Sequence, residues 1–113
     1  MASAEVRIAL PAHLRRLAGV SGTTVAVTLT PAGTGPATLG DVIDALEHTY
    51  PALRGTIRDY PAAGSVPPGA LRPFIRFFAL EEDLTPAGQA APIPSEVLSG
   101  KEVLRIIGAI AGG

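Results

Sequence analysis

Thr38-Leu39-Gly40-Asp41-Val42-Ile43-Asp44-Ala45-Leu46-Glu47-His48-Thr49-Tyr50 is the stretch on which the reading of the fold turns. Leu39, Val42, Ile43, Leu46 and Tyr50 fall at i, i+3, i+4, i+7 and i+11, which draws one apolar stripe along a helix. Asp41, Asp44 and Glu47 hold most of the opposite side. Thr38 is placed to cap the first turn, with Asp41 three residues on as a shortened capping box. Pro51 disfavours helical geometry at Tyr50 and ends the element. Pro51-Ala52-Leu53-Arg54 then reads as a second, short turn.

The flanks of this helix have a different period. Over residues 5–10, Val6, Ile8 and Leu10 share one face while Glu5 and Arg7 take the other, so the segment reads as a half-buried strand closed by Pro11. Residues 24–29 repeat the alternation, with Val25, Val27 and Leu29 opposed by Thr24, Ala26 and Thr28. The linker between them is short enough for a hairpin-like return and supports one helical turn at Leu14-Arg15-Arg16-Leu17. Beyond the helix, residues 60–73 hold Pro61, Pro67, Pro68, Pro73, Gly64 and Gly69 and read as a loop. Phe74-Ile75-Arg76-Phe77-Phe78 has high β-propensity and is expected to be a central strand. Residues 85–95 read as a second loop, and residues 103–107 as the last strand. Two strands, a helix and two more strands predict an α+β fold with the helix packed across a sheet.

Composition agrees with one domain over residues 1–113 and narrows the function. The chain has 13 Gly and 11 Pro, which argues against a helical bundle. Nine basic and ten acidic residues leave a net charge of −1, and no basic stripe gathers. Polyanion binding requires clustered Lys and Arg, so no nucleic-acid partner is expected. There is no Cys, hence no disulfide, thiolate metal site or cysteine nucleophile. The first residues lack a signal-peptide apolar core, and no apolar run is long enough to span a membrane. The expected location is the cytoplasm, without membrane association.

Conventional catalytic motifs are weak. His13 and His48 have no partner at metal-ligand spacing and read as ordinary surface histidines. Gly33-Thr34-Gly35-Pro36-Ala37-Thr38 leads into the helix as a phosphate loop would. However, it lacks both the third Gly of the dinucleotide fingerprint and a Walker Lys, so a capped loop is the simpler reading. Glu81-Glu82-Asp83 reads as a solvated turn, because three consecutive carboxylates do not converge on one cation. No bound cofactor, metal or catalytic residue is expected.

The C-terminal segment is more informative: Ala109-Ile110-Ala111-Gly112-Gly113. A terminal Gly has no Cβ, so its carboxylate can enter a channel one backbone wide and be attacked without hindrance. Ala109 and Ala111 prolong the slim profile, while Ile110 is a bulky side chain that a partner would cover. A flexible tail over about residues 108–113 suits a substrate for another enzyme's active site. Partner contact is expected at Gly113, Gly112, Ala111, Ile110 and Ala109, together with a sheet face near Phe77 or Phe78.

Taken together these features resemble the MoaD/ThiS family of ubiquitin-like β-grasp sulfur carriers, including the molybdopterin synthase small subunit. The resemblance runs through Val6-Arg7-Ile8 with Leu14-Arg15, then Thr38-Leu39-Gly40-Asp41-Val42 and Leu46-Glu47 with Tyr50-Pro51-Ala52-Leu53. It resumes at Leu71-Arg72-Pro73-Phe74-Ile75 and at Gly100, and closes in Ala109-Ile110-Ala111-Gly112-Gly113. The chain departs from the family where Gly108 replaces a common Pro and where Leu80-Glu81-Glu82-Asp83 replaces an Asn-containing hairpin turn. Its loops at 60–73 and 85–95 are also longer than the shortest carriers need.

The resemblance implies a β-grasp with a mixed four- to five-stranded sheet and one main helix. It also implies a carrier that is no enzyme itself. An E1-like adenylating enzyme would use ATP to convert the Gly113 carboxylate to an acyl-adenylate, and a sulfur donor would displace AMP to leave a thiocarboxylate. A sulfur-accepting synthase, either a molybdopterin synthase large subunit or a cysteine-synthase-like enzyme, would receive the sulfur. Two other readings stay open: a ubiquitin-like modifier joined through Gly113 to a partner lysine, and a non-catalytic β-grasp interaction module.

Overall fold

The alternation at Val6 and Ile8 becomes strand β1, Ala4–Ala9, and that at Val25, Val27 and Leu29 becomes β2, Thr24–Leu29. The computed structural model describes residues 4–30, 36–58, 71 and 75–108. Between the two strands lies helix α1, Ala12–Ala18, longer than the single turn expected. It ends at Gly19, whose φ of 74° is the left-handed conformation that a helix stop requires and that glycine adopts without strain. The chain returns antiparallel, with Ala4 opposite Leu29 and Ala9 opposite Thr24.

Helix α2 spans Leu39–Thr49 as its period predicts. The capping box is real: the Asp41 N–H donates to Thr38 Oγ1 at 3.3 Å, and the Thr38 N–H donates to Asp41 Oδ2 at 2.9 Å. Leu39, Val42, Ile43 and Leu46 are all buried, each contributing roughly 1.5–3 kcal/mol relative to exposure. Pro51–Leu53 forms the short 3-10 turn expected after Pro51.

Strands β3, Ile75–Ala79, β4, Glu82–Asp83, and β5, Leu104–Gly108, complete a mixed five-stranded sheet in the order β2-β1-β5-β3-β4. β5 runs parallel to β1 and antiparallel to β3. The last strand is therefore the middle one. β3 is interior but not central, because β5 claims the position between β1 and β3.

Three local readings change. Glu82 and Asp83 form a short edge strand instead of a plain turn, because Leu80 and Glu81 close a two-residue hairpin above them. Both turn residues have positive φ, 53° and 65°, the geometry a tight hairpin demands. The last strand begins one residue later than its apolar run, at Leu104. The Pro-rich segment 85–95 is not a loose loop. It contains a 3-10 stretch, Thr85–Ala90, and leads into helix α3, Ser95–Leu98.

Backbone bonds from Leu39 to the Ala91 carbonyl (2.8 Å) and from Ile93 to the Ala37 carbonyl (2.9 Å) tie that segment to the start of α2. Ala91, Ile93 and Val97 enter the core. Gly40 permits this approach, since a Cβ there would stand 3.2 Å from the Gln89 carbonyl oxygen.

Candidate functional site

β5 is the last described element, and its alternation sorts its side chains between two faces. Leu104 and Ile106 point into the core, while Arg105 and Ile107 point outward, with Ile107 45% exposed. Gly108, the last described residue, lies opposite Ile75 at one end of the sheet. The residues proposed for partner contact and activation, Ala109, Ile110, Ala111, Gly112 and Gly113, lie outside the described residues.

Pairing builds a surface around the base of that segment. On the outward face Ile107 sits opposite Arg76, and Arg105 is flanked by Phe78 on β3 and Ala9 on β1. The sequence could not choose between the two phenylalanines. Phe77 is fully buried and Phe78 half-buried, because Phe77 shares the parity of Ile75 and Ala79. Arg7 on β1 joins the same face, its Nη2 donating to the Gly100 carbonyl at 2.8 Å and holding the turn that enters β5.

The outer sheet face thus carries Arg7, Arg76 and Arg105 around Ile107 and Phe78, with Glu5 and the Arg76-paired Asp83 on the same face. The exposed side of α2 carries the opposite sign, in Asp41 and Asp44, whereas Glu47, expected on that side, is buried and paired with Arg58. This polarity was missed by composition, which shows only near-neutrality. The period-2 signal in residues 103–107 places Arg105 and Ile107 on one face, but joining them to Arg76 and Arg7 requires the strand order.

Asp83 anchors the far side of β3. The Thr85 side chain and then the Thr85 backbone N–H, at 2.9 Å from Oδ1, hold its carboxyl below the usual range, with Arg76 at 3.4 Å adding to the effect. Thr85 Oγ1 in turn accepts from the Phe77 N–H at 2.8 Å.

The other sequence candidates are not brought together. His13 lies on α1 and His48 near the end of α2, and among the described residues no group of three or more His, Asp or Glu is placed to hold a metal ion. Residues 33–35 of the glycine loop lie outside the described residues. At the helix start, the Asp41 carboxylate already accepts the free N–H of Thr38. No described helix is long and apolar enough to cross a membrane.

No protein-family model matches the sequence, and no curated protein matches it significantly. Solved structures do. Small archaeal modifier protein 1 (SAMP1) from Methanosarcina acetivorans superposes with a TM-score of 0.71 at 21% identity, covering 100% of both chains. SAMP1 from Haloferax volcanii gives 0.62 at 25% identity, over 96% of this chain and 99% of that one. The BexX/CysO complex of Amycolatopsis orientalis gives 0.65 at 22% identity, again over 96% and 99%. The chain has the ubiquitin-like β-grasp fold of these proteins along essentially its whole length.

Proposed function

We propose that this protein is a ubiquitin-like sulfur carrier of the MoaD/ThiS type that works through the carboxylate of Gly113. The observation that carries the reading is the position of β5. It is the middle strand, pinned on both sides, and it runs directly toward a slim segment ending in Gly112-Gly113. A strand held on both sides fixes the point from which the small-residue sequence Ala109-Ile110-Ala111-Gly112-Gly113 continues. Its likeness over full length to modifier proteins and to CysO supports the same reading.

In this scheme the chain supplies a substrate group and a docking face, and the chemistry belongs to its partners. An E1-like adenylating enzyme binds ATP. The Gly113 carboxylate attacks the α-phosphorus, pyrophosphate leaves, and an acyl-adenylate forms, which a free carboxylate must become before it can accept a nucleophile. A hydrosulfide-equivalent donor then adds to the acyl carbon, the C–S bond forms, and AMP departs. The thiocarboxylate passes its sulfur to a substrate held by a sulfur-accepting synthase of molybdopterin or cysteine-type metabolism. Arg7, Arg76 and Arg105 around Ile107 and Phe78 form the surface that these partners recognise.

The test is intact mass spectrometry after incubation with ATP, an adenylating enzyme and sulfide. A gain equal to the exchange of one oxygen for sulfur, confined to the C-terminal peptide, is expected. An unchanged mass, with an enzyme proven active on another carrier, overturns the proposal. A lysine-linked adduct instead of the exchange assigns the chain as a protein modifier.

A further inference from the structure

The two edges of the sheet are built differently. One is β4, only two residues long and acidic at both, Glu82 and Asp83. Short charged edges resist pairing with another strand. The other is β2, Thr24–Leu29, six residues with no charge, Pro or Gly, in unbroken register with β1.

The direction of its backbone groups follows from one bond. The Leu10 N–H donates to the Thr23 carbonyl at 3.1 Å, in the register that continues through Ile8↔Val25. Directly opposed antiparallel residues alternate between bonded and non-bonded pairs. Val25, Val27 and Leu29 therefore bond to β1, and the N–H and C=O groups of Thr24, Ala26 and Thr28 point away from it. Among the described residues no hydrogen bond reaches those groups.

 Beside this edge, between β2 and α2, runs a groove of about 280 Å³. Its floor is Leu29, Ala37 and Ala45, and its α2 wall carries Asp41, Asp44 and His48. Asp44 keeps 66% of its side chain exposed while paired with Arg58, so its carboxylate has acceptor sites left for a second cation.

We propose that the β2 edge and this groove bind an extended segment of a partner protein by strand addition, with Lys or Arg on the side facing α2. Strand addition draws affinity from main-chain bonds and specificity from alternate side chains. Here the aliphatic stems of Lys or Arg cover Leu29, Ala37 and Ala45, and their charged heads meet Asp41 and Asp44. Those two carboxylates stand about one helical turn apart, close to the spacing of alternate side chains on a strand. A second copy of this chain is the poorer occupant, because pairing β2 with β2 sets the two acidic α2 walls on the same side of the joined sheet. The surface is separate from the Arg-rich outer face, and the proposal does not depend on sulfur transfer.

The experiment is a titration of the isotope-labelled protein, followed by amide NMR, with a synthetic hexapeptide alternating Lys and Thr. Shifts are expected at Thr24, Ala26 and Thr28 and along the α2 wall, with slowed amide exchange at the three edge residues and no response to a Glu–Thr counterpart. Ala26→Pro removes an outward N–H without touching the bonds to β1 and weakens binding at least tenfold. Asp44→Asn, which keeps an acceptor for Arg58, weakens it severalfold and serves if the Pro variant does not fold. Absent shifts, equal responses to both peptides, shifts centred on Arg76 and Arg105, or edge protection that grows with protein concentration alone each overturn the proposal.

Discussion

Arg58 donates to Glu47 across 2.9 Å, and both side chains are 95% withdrawn from solvent. The same guanidinium reaches Asp44 on α2 and Gln89 Oε1, at 2.7 Å, in the segment that covers the start of that helix. One cation thus joins three pieces of chain around the core, and its removal takes a counter-charge away from a buried carboxylate. Arg58→Leu is expected to cost about 3–5 kcal/mol in urea unfolding. The double variant with Glu47→Leu recovers much of that loss, because both charges go together.

The β3–β4 hairpin stores strain that can be relieved. Leu80 and Glu81 hold positive φ, which costs a side-chain-bearing residue roughly 1–2 kcal/mol. Replacing them together by Asn and Gly is expected to raise stability by about 1 kcal/mol or more, read as a higher thermal midpoint. Leu80 is 46% exposed, so little packing is lost.

Asp83 makes stability depend on pH. Its folded carboxyl titrates below the ordinary value of 3.8, so the protein favours the ionised form. The contribution is present above that value and is lost as pH falls through the lower folded pKa. Thermal midpoints measured from pH 5 downward should fall in the wild type, and Asp83→Asn should flatten part of that slope. The carboxyl keeps contact with solvent, so the effect is small.

The outer face is predicted to act in recognition and not in folding. Arg105→Glu reverses an exposed charge, and Ile107→Ser removes an exposed apolar contact. Each is expected to slow loading of the C-terminus at least tenfold while moving the thermal midpoint little. A parallel loss of stability would count against the assignment.

Much of the framework was legible because its signals are local. A 3.6-residue period, Thr38 and Asp41 at capping distance, and Pro51 after Tyr50 mark α2 without reference to any other segment. Alternation marks β1 and β2 in the same way, and the chemistry of Ala109 to Gly113 rests on the sequence alone. What tertiary structure decided is which distant pieces meet. The strand order that puts β5 in the middle, the choice of Phe77 over Phe78 for the core, and the packing of Ala91 and Ile93 leave no local pattern to read. The same holds for the convergence of Arg58 with Glu47 and of Arg76 with Ile107. Side-chain period reports which way a residue faces, whereas pairing energy depends on partners far along the chain, and only the folded sheet brings those partners within bonding distance.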